Sequence, residues 1–79
     1  MISPLASIAP GAKIGKNVII QPFAYIEDNV EIGDDCIIMP YASVLNGTRL
    51  GKGNKVYQHA ELGAVSYTHL RAHETSAHL

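Results

Sequence analysis

The sequence has few of the residues that mark several large classes of protein. Its 79 residues include no Trp, one Phe and one Cys, and only 16% of them are charged. The lone Cys36 excludes an internal disulfide and a zinc site built from the cysteines of one chain. The net charge of −1 argues against a nucleic-acid or basic membrane-binding surface. No apolar run approaches the ~18 residues of a membrane span, and the N-terminus lacks a signal-peptide pattern, so we expect one small soluble, cytoplasmic domain.

A repeat of six residues organises most of the chain. Every sixth residue from position 2 is a branched aliphatic: Ile2, Ile8, Ile14, Ile20, Ile26, Ile32, Ile38, Val44, Leu50, Val56 and Leu62. The residue two positions earlier is nearly always small, and this spacing puts both side chains on the same face of a strand. All four prolines follow the aliphatic by two positions, and the next position holds Gly11, Asn17, Asn29, Asp35, Gly47 and Gly53. Proline before a residue that tolerates positive φ is typical of a type II turn, so each hexad is predicted to be one short strand and one turn.

A longer period of eighteen residues is superimposed on the hexads. It relates Gly15 to Gly33 and Gly51, and it relates Phe23 to Tyr41 and His59. A helix would repeat its apolar stripe at three and four residues, and a hairpin meander would not confine proline to one phase. Three hexads per turn of a triangular coil explain both periods, with equivalent residues stacked in ladders. Residues 2–64 therefore predict an all-β, parallel β-helix of three to four coils.

The repeat stops near residue 65, where the next hexad positions would be Thr68 and Glu74. One back-translation of residues 65–75 (VSYTHLRAHET) resembles the transposon adapter used in sequencing libraries, and the reading frame fits through Leu79. We therefore divide the chain into a β-helix fragment over residues 1–64 and a non-native adapter tail over residues 65–79.

Two single residues could carry chemistry. Cys36 could act as a nucleophile, but it occupies the small-residue phase and is interpreted as part of the core. His59 is the only histidine within the repeat and could be a general base or a shared metal ligand. Its register with Phe23 and Tyr41 favours a packing ladder or a subunit contact.

Three clusters of titratable residues are better explained without assigning them a catalytic or binding role. The tail histidines resemble zinc ligands only loosely in spacing, and we assign them to the adapter segment: His69, His73 and His78. The acidic residues lack calcium-loop spacing and suit a solvated rim: Asp28, Glu31, Asp34 and Asp35. The basic residues could meet a phosphate, but surface solvation is the default interpretation for them: Arg49, Lys52 and Lys55.

The hexad with Gly after its aliphatic resembles the hexapeptide-repeat transferases. Clear examples are IGKNVI (14–19), IGDDCI (32–37) and LGKGNK (50–55). The resemblance implies a left-handed parallel β-helix that assembles as a homotrimer.

Within this family the chain is most similar to the acyl-carrier-protein-dependent O-acyltransferases of UDP-N-acetylglucosamine. The likeness lies in ISPLASIAPGAKIG (2–15), IIQPFAYIEDNVEIG (19–33) and NGTRLGKGNKVYQHAELGA (46–64). It implies transfer of a 3-hydroxyacyl chain from acyl carrier protein to the 3-hydroxyl of UDP-N-acetylglucosamine in lipid A biosynthesis, without a cofactor. In that family the catalytic base and the substrate pockets lie on later coils. The resemblance therefore assigns no catalytic, cofactor-binding or metal residue here, and we expect this chain alone to be inactive.

Two alternatives use the same coil. One is a structural or trimerisation module of another hexapeptide transferase. The other is a γ-class carbonic anhydrase, which needs three zinc-binding histidines, whereas residues 1–64 contain only His59.

Overall fold

The computed structural model describes residues 1–63 and the backbone of the strand Ser66–Tyr67. Throughout this part of the chain the regular elements are two-residue β-strands, and turns of four residues join them from β1 to β10. The strands are β1 (Ser7–Ile8), β2 (Lys13–Ile14), β3 (Ile19–Ile20), β4 (Tyr25–Ile26), β5 (Glu31–Ile32), β6 (Ile37–Ile38), β7 (Ser43–Val44), β8 (Arg49–Leu50), β9 (Lys55–Val56), β10 (Glu61–Leu62) and β11 (Ser66–Tyr67).

Strands that lie three apart in chain order pair in parallel, which produces three narrow sheets. Sheet 1 has the order β1-β4-β7-β10, sheet 2 the order β2-β5-β8-β11, and sheet 3 the order β3-β6-β9. From β1 to β10 the paired residues are eighteen apart, as in Ile14 opposite Ile32. An isolated bridge from Ile2 to Ile20 extends sheet 3 toward the N-terminus. The three-sided parallel β-solenoid predicted from the sequence is confirmed, and it is consistent with a left-handed β-helix.

The aliphatic ladder and the small-residue ladder form one continuous core. From Ile20 to Leu62 each repeat aliphatic is at most 4% exposed. Ile8 and Ile14 are only half-buried and pack against the edge of the cluster. Two positions of the small-residue ladder are polar and buried, and both make hydrogen bonds: the Thr48 hydroxyl to the Leu45 and Leu62 carbonyls, and the Asn54 amide to the Gly51 carbonyl. These bonds satisfy polar groups that would otherwise be costly to bury.

Gly15, Gly33 and Gly51 form the stack that their spacing predicts. A Cβ atom on Gly33 would lie 2.7 Å from the carbonyl carbon of Gly51, and one on Gly15 would lie 2.9 Å from that of Gly33. Such separations are shorter than any van der Waals contact, so the coils approach this closely only because side chains are absent.

The turns adopt left-handed backbone where the sequence predicts it, with one exception. Asn17, Asn29 and Asp35 have φ between 57° and 62°, and Gly47 and Gly53 also have positive φ. Gly11 was expected to share this conformation, but it is not among the residues with positive φ. Its amide instead donates to the Asp28 carboxylate of the next coil at 2.9 Å.

Strand β11 departs from the predicted register. Tyr67 pairs with Leu50, a separation of seventeen residues, although the uniform hexad phase predicts position 68. Three residues separate Leu62 from Ser66, whereas four residues separate each earlier pair of consecutive strands. We expected no strand of the repeat in residues 65–79, and this expectation was wrong for Ser66 and Tyr67. The division at residue 64 stays a prediction, and the other tail residues lie outside the described part of the chain.

Candidate functional site

An aromatic ridge runs along the corner between sheet 3 and sheet 1. We use this name for Phe23, Tyr41 and His59, which occupy the same turn position in successive coils. The ring centroids of Phe23 and Tyr41 are 5.3 Å apart, and those of Tyr41 and His59 are 5.5 Å apart, with interplanar angles of 18° and 9°. This confirms the predicted ladder. All three side chains are exposed, with Phe23 at 52% and Tyr41 at 55%.

The backbone of the ridge is in a conformation that its residues disfavour. Phe23, Tyr41 and His59 have φ of 69°, 65° and 64°, which is rare for bulky side chains. Left-handed backbone costs roughly 1–2 kcal/mol for each such residue, or about 3–6 kcal/mol for three. Two aromatic pairs return only about 0.5–1.5 kcal/mol each. The stacking therefore offsets only part of the strain.

A polar cleft of about 520 Å³ lies on the outer side of sheet 1, beside the turns that lead to sheet 2. Tyr25, Glu27 and Asn46 line it together with Ser7 and Asp28. The Tyr25 hydroxyl donates to Glu27 Oε2 at 3.0 Å, and the backbone N–H of Asn46 donates to Glu27 Oε1 at 2.7 Å. The hydrogen bond to the Glu27 carboxylate raises the pKa of Tyr25. This arrangement supplies acceptors and a phenol, but it brings no nucleophile next to a base.

Cys36 lies in the core and is unsuited to nucleophilic chemistry. Its side chain is inaccessible to solvent, and Sγ donates a hydrogen bond to the Gly51 carbonyl at 3.1 Å. Burial raises the pKa of the Cys36 thiol, which makes the reactive thiolate rarer at neutral pH. The core interpretation from the sequence is therefore confirmed.

Three of the four acidic side chains that the sequence analysis singled out connect neighbouring coils: Asp28, Glu31 and Asp34. Asp28 accepts from the Gly11 amide, and Asp34 accepts from the Lys16 amide at 2.7 Å. Glu31 forms an ion pair with Arg49, whose Nε lies 3.7 Å from Glu31 Oε2. These bonds connect the outer ends of successive coils.

Two residues of the basic cluster, Arg49 and Lys55, make side-chain contacts within the chain. Arg49 Nη2 donates to the side-chain oxygen of Asn29 at 2.8 Å. The Lys55 ammonium lies 5.1 Å from the centre of the Tyr57 ring. Neither side chain is arranged around an open anion site.

Within residues 1–63 and strand β11, His, Cys, Asp and Glu side chains form no group of three that could hold a metal ion. His59 is the histidine that this part of the chain contributes, and it stands on the outer ridge. The predicted assignment of His69, His73 and His78 concerns residues outside the described structure.

The comparisons with known proteins agree with the geometry of the coil. Residues 29–64 match the family profile described as Bacterial transferase hexapeptide (six repeats). This segment carries the bacterial transferase hexapeptide repeat. The searches of curated proteins and of solved structures found no match. In the part of the chain that the structure describes, no helix is long and apolar enough to cross a membrane.

The described coils contain two features that sequence reasoning missed. One is the left-handed backbone of the three ridge residues, because the turn rule was applied only where Gly, Asn or Asp was present. Their shared phase with Asn17 and Gly53 was the available signal. The other is the polar cleft, which depends on bonds between coils such as Asn46 to Glu27 and has no signature within one hexad.

Proposed function

We propose that residues 1–64 are the first coils of an acyltransferase that moves a 3-hydroxyacyl chain from acyl carrier protein to UDP-N-acetylglucosamine. The acceptor is the sugar 3-hydroxyl, the reaction is a cytoplasmic step of lipid A biosynthesis, and the working assembly is a homotrimer. The match of residues 29–64 to the transferase hexapeptide profile, on a regular three-sided coil, carries the proposal. Transfer of an acyl or acetyl group is the chemistry that this family suggests.

The segment 46–64 supports the finer assignment to a nucleotide-sugar O-acyltransferase. It combines the Asn46–Gly47 turn with a glycine-rich hexad and the pair Tyr57–Gln58. In the structure, Gly47 has φ of 91° and Gly53 has φ of 76°, so the backbone favours glycine at both positions. Tyr57 and Gln58, in contrast, occupy turn positions at which the other hexads of this chain carry varied residues. That combination is the part of the resemblance that packing alone does not explain.

The described coils are suited to a positioning role in this reaction. Acyl transfer to a hydroxyl needs a base within ~3 Å of that hydroxyl and donors for the developing oxyanion. Among residues 1–63, Cys36 is enclosed in the core and His59 projects from an outer corner. Neither has a hydrogen-bonded carboxylate partner in this part of the chain. We therefore assign the chemistry to coils that follow residue 64 in the parent protein.

The reaction itself tests the proposal. The protein encoded by an uninterrupted gene containing residues 1–64 is supplied with 3-hydroxyacyl carrier protein and UDP-N-acetylglucosamine, and the products are analysed by mass spectrometry. We expect a 3-O-(3-hydroxyacyl) nucleotide sugar. Acetyl transfer from acetyl-coenzyme A alone would instead indicate another hexapeptide transferase, and hydration of carbon dioxide would indicate the carbonic anhydrase alternative.

The 79-residue chain is assayed beside the longer protein under the same conditions. We expect it to form no ester product, because its described coils place no base near an acceptor site. Turnover by this chain that His59→Ala abolishes would contradict both the expected inactivity and the packing role of His59.

A further inference from the structure

The turn that joins β7 to β8 contains a dipeptide that can modify itself. Asparagine is chemically labile because the backbone nitrogen of the next residue can attack its side-chain amide. A Cβ atom on that next residue hinders the attack, and glycine has none. Asn46 is followed by Gly47, whereas the other three asparagines of the chain precede a valine or a lysine: Asn17, Asn29 and Asn54. The sequence therefore favours this reaction most at Asn46.

The reacting pair lies at the surface, on the corner between sheet 1 and sheet 2. Asn46 is exposed and Gly47 is half-buried, so water reaches the turn. Gly47 has φ of 91°, and the turn is closed by the Thr48 N–H, which donates to the Leu45 carbonyl at 3.1 Å. Solvent access therefore does not limit the reaction, and the conformation of the turn decides how fast it proceeds.

Asn29, in the preceding coil, holds both reacting groups. The Gly47 N–H donates to the Asn29 carbonyl at 3.1 Å, and the Asn29 side-chain nitrogen lies 3.5 Å from Asn46 Oδ1. Arg49 in turn braces Asn29, because Nη1 donates to the same carbonyl and Nη2 to the side-chain oxygen at 2.8 Å. The Gly47 nitrogen must lose its proton and turn toward Asn46 Cγ, so its bond to Asn29 has to break first.

We propose that Asn46 is a site of spontaneous succinimide formation, and that local opening of this turn away from Asn29 controls its rate. The Gly47 nitrogen gives its proton to hydroxide and bonds to Asn46 Cγ. The bond from Cγ to Nδ2 breaks, and the amide nitrogen takes a proton from water and leaves as ammonia. Water then opens the ring at either carbonyl, which yields an aspartate or an isoaspartate at position 46. The inference does not depend on the proposed acyl transfer.

Either product opposes the packing of the coil. The new carboxylate would lie in the polar cleft, where Glu27 Oε1 already accepts from the Asn46 backbone N–H at 2.7 Å. Asp28 lines the same cleft, and among the described residues that line it none is a cation. Isoaspartate also adds a methylene group to the main chain of a repeat whose paired residues are eighteen apart. The reaction therefore permanently marks chains whose coil has opened here.

The first test compares the folded 79-residue chain with the same chain unfolded in guanidinium chloride. Both are incubated at mildly alkaline pH, and peptide mapping by mass spectrometry measures aspartate and isoaspartate at each asparagine. We expect Asn46 to react about tenfold or more faster in the unfolded chain, because the folded turn must first open. Equal rates in the two states would overturn the control by the coil. An unfolded chain in which Asn46 reacts no faster than Asn17 would overturn the site itself.

The second test loosens Asn29 without changing the reacting dipeptide. Arg49→Gln removes the guanidinium that braces Asn29, and we expect modification of folded Asn46 to become roughly 3–10-fold faster. The matched control is Lys52→Gln, which removes an exposed cation from the same coil at the next corner and is expected to leave the rate unchanged. In guanidinium chloride all three chains should react equally fast. A folded Arg49→Gln chain that reacts at the unaltered rate would overturn the role of Asn29, and the first test decides the proposal if this variant does not fold.

Discussion

Adding a single methyl group to Gly33 tests whether the glycine stack determines how closely the coils approach. The new Cβ would lie 2.7 Å from the Gly51 carbonyl carbon and 2.8 Å from the Lys52 amide nitrogen. Both neighbours are backbone atoms, so relief requires the next coil to move rather than a side chain to rotate. Overpacking of this kind costs about 1–3 kcal/mol, and we expect the upper end of that range for Gly33→Ala.

That loss is large against the stability available to a domain of this size. Native domains have roughly 0.05–0.15 kcal/mol per residue, or about 3–9 kcal/mol for the described coils. Gly33→Ala is therefore expected to remove a third or more of the free energy of unfolding. Urea unfolding, monitored by circular dichroism at about 218 nm, measures this loss directly.

Two other glycines provide matched controls. No atom of the described residues lies within 4 Å of a Cβ added to Gly63, so Gly63→Ala is expected to be neutral or slightly stabilising. Gly53 is equally open but has φ of 76°, so Gly53→Ala is expected to cost about 1–2 kcal/mol through backbone strain alone. A Gly33→Ala protein as stable as the Gly63→Ala protein would refute close coil contact as the reason for the glycine ladder.

Three further predictions concern the core, the thiol and the tail. Ile32→Asp is expected to unfold the coil in circular dichroism, because Ile32 is 2% exposed and the carboxylate would be buried without a partner, whereas the outward change Glu31→Asp should be tolerated. The raised pKa of Cys36 means that the folded chain holds its thiol proton more tightly than the unfolded chain, so the free energy of unfolding should fall as pH rises above about 8.5. Cys36→Ala should remove that pH dependence, and an unchanged slope would show that another group causes it. Deleting residues 65–79 should change the free energy of unfolding by less than about 1 kcal/mol, since one two-residue strand is lost, and a loss of several kcal/mol would make the tail a genuine part of the fold.

The core could be predicted from the sequence because the aliphatic residue at every sixth position is the one that the coil buries. Ile26 and Val44 each occur where the chain crosses the inside of the coil, and both are at most 1% exposed. The polar residues Thr48 and Asn54 interrupt the small-residue ladder, yet they remain in the core because backbone carbonyls accept their hydrogen bonds. The position of Tyr67 could not be predicted in the same way, because three residues instead of four separate Leu62 from Ser66, and the composition of the segment does not signal the missing residue.

The candidate surfaces were harder to predict because the fold places different demands on the six positions of each hexad. The aliphatic and small positions must fill the core, and the turn position with positive φ favours Gly, Asn or Asp, so these three positions mainly describe the coil. Function must be encoded in the outward positions and in departures from the turn rule. Tyr41 and His59 are such departures, and they become visible only when their φ values and their stacking are known together. For the same reason the general hexad identifies a hexapeptide-repeat coil, whereas the finer assignment proposed above depends on the variable turn residues around Tyr57.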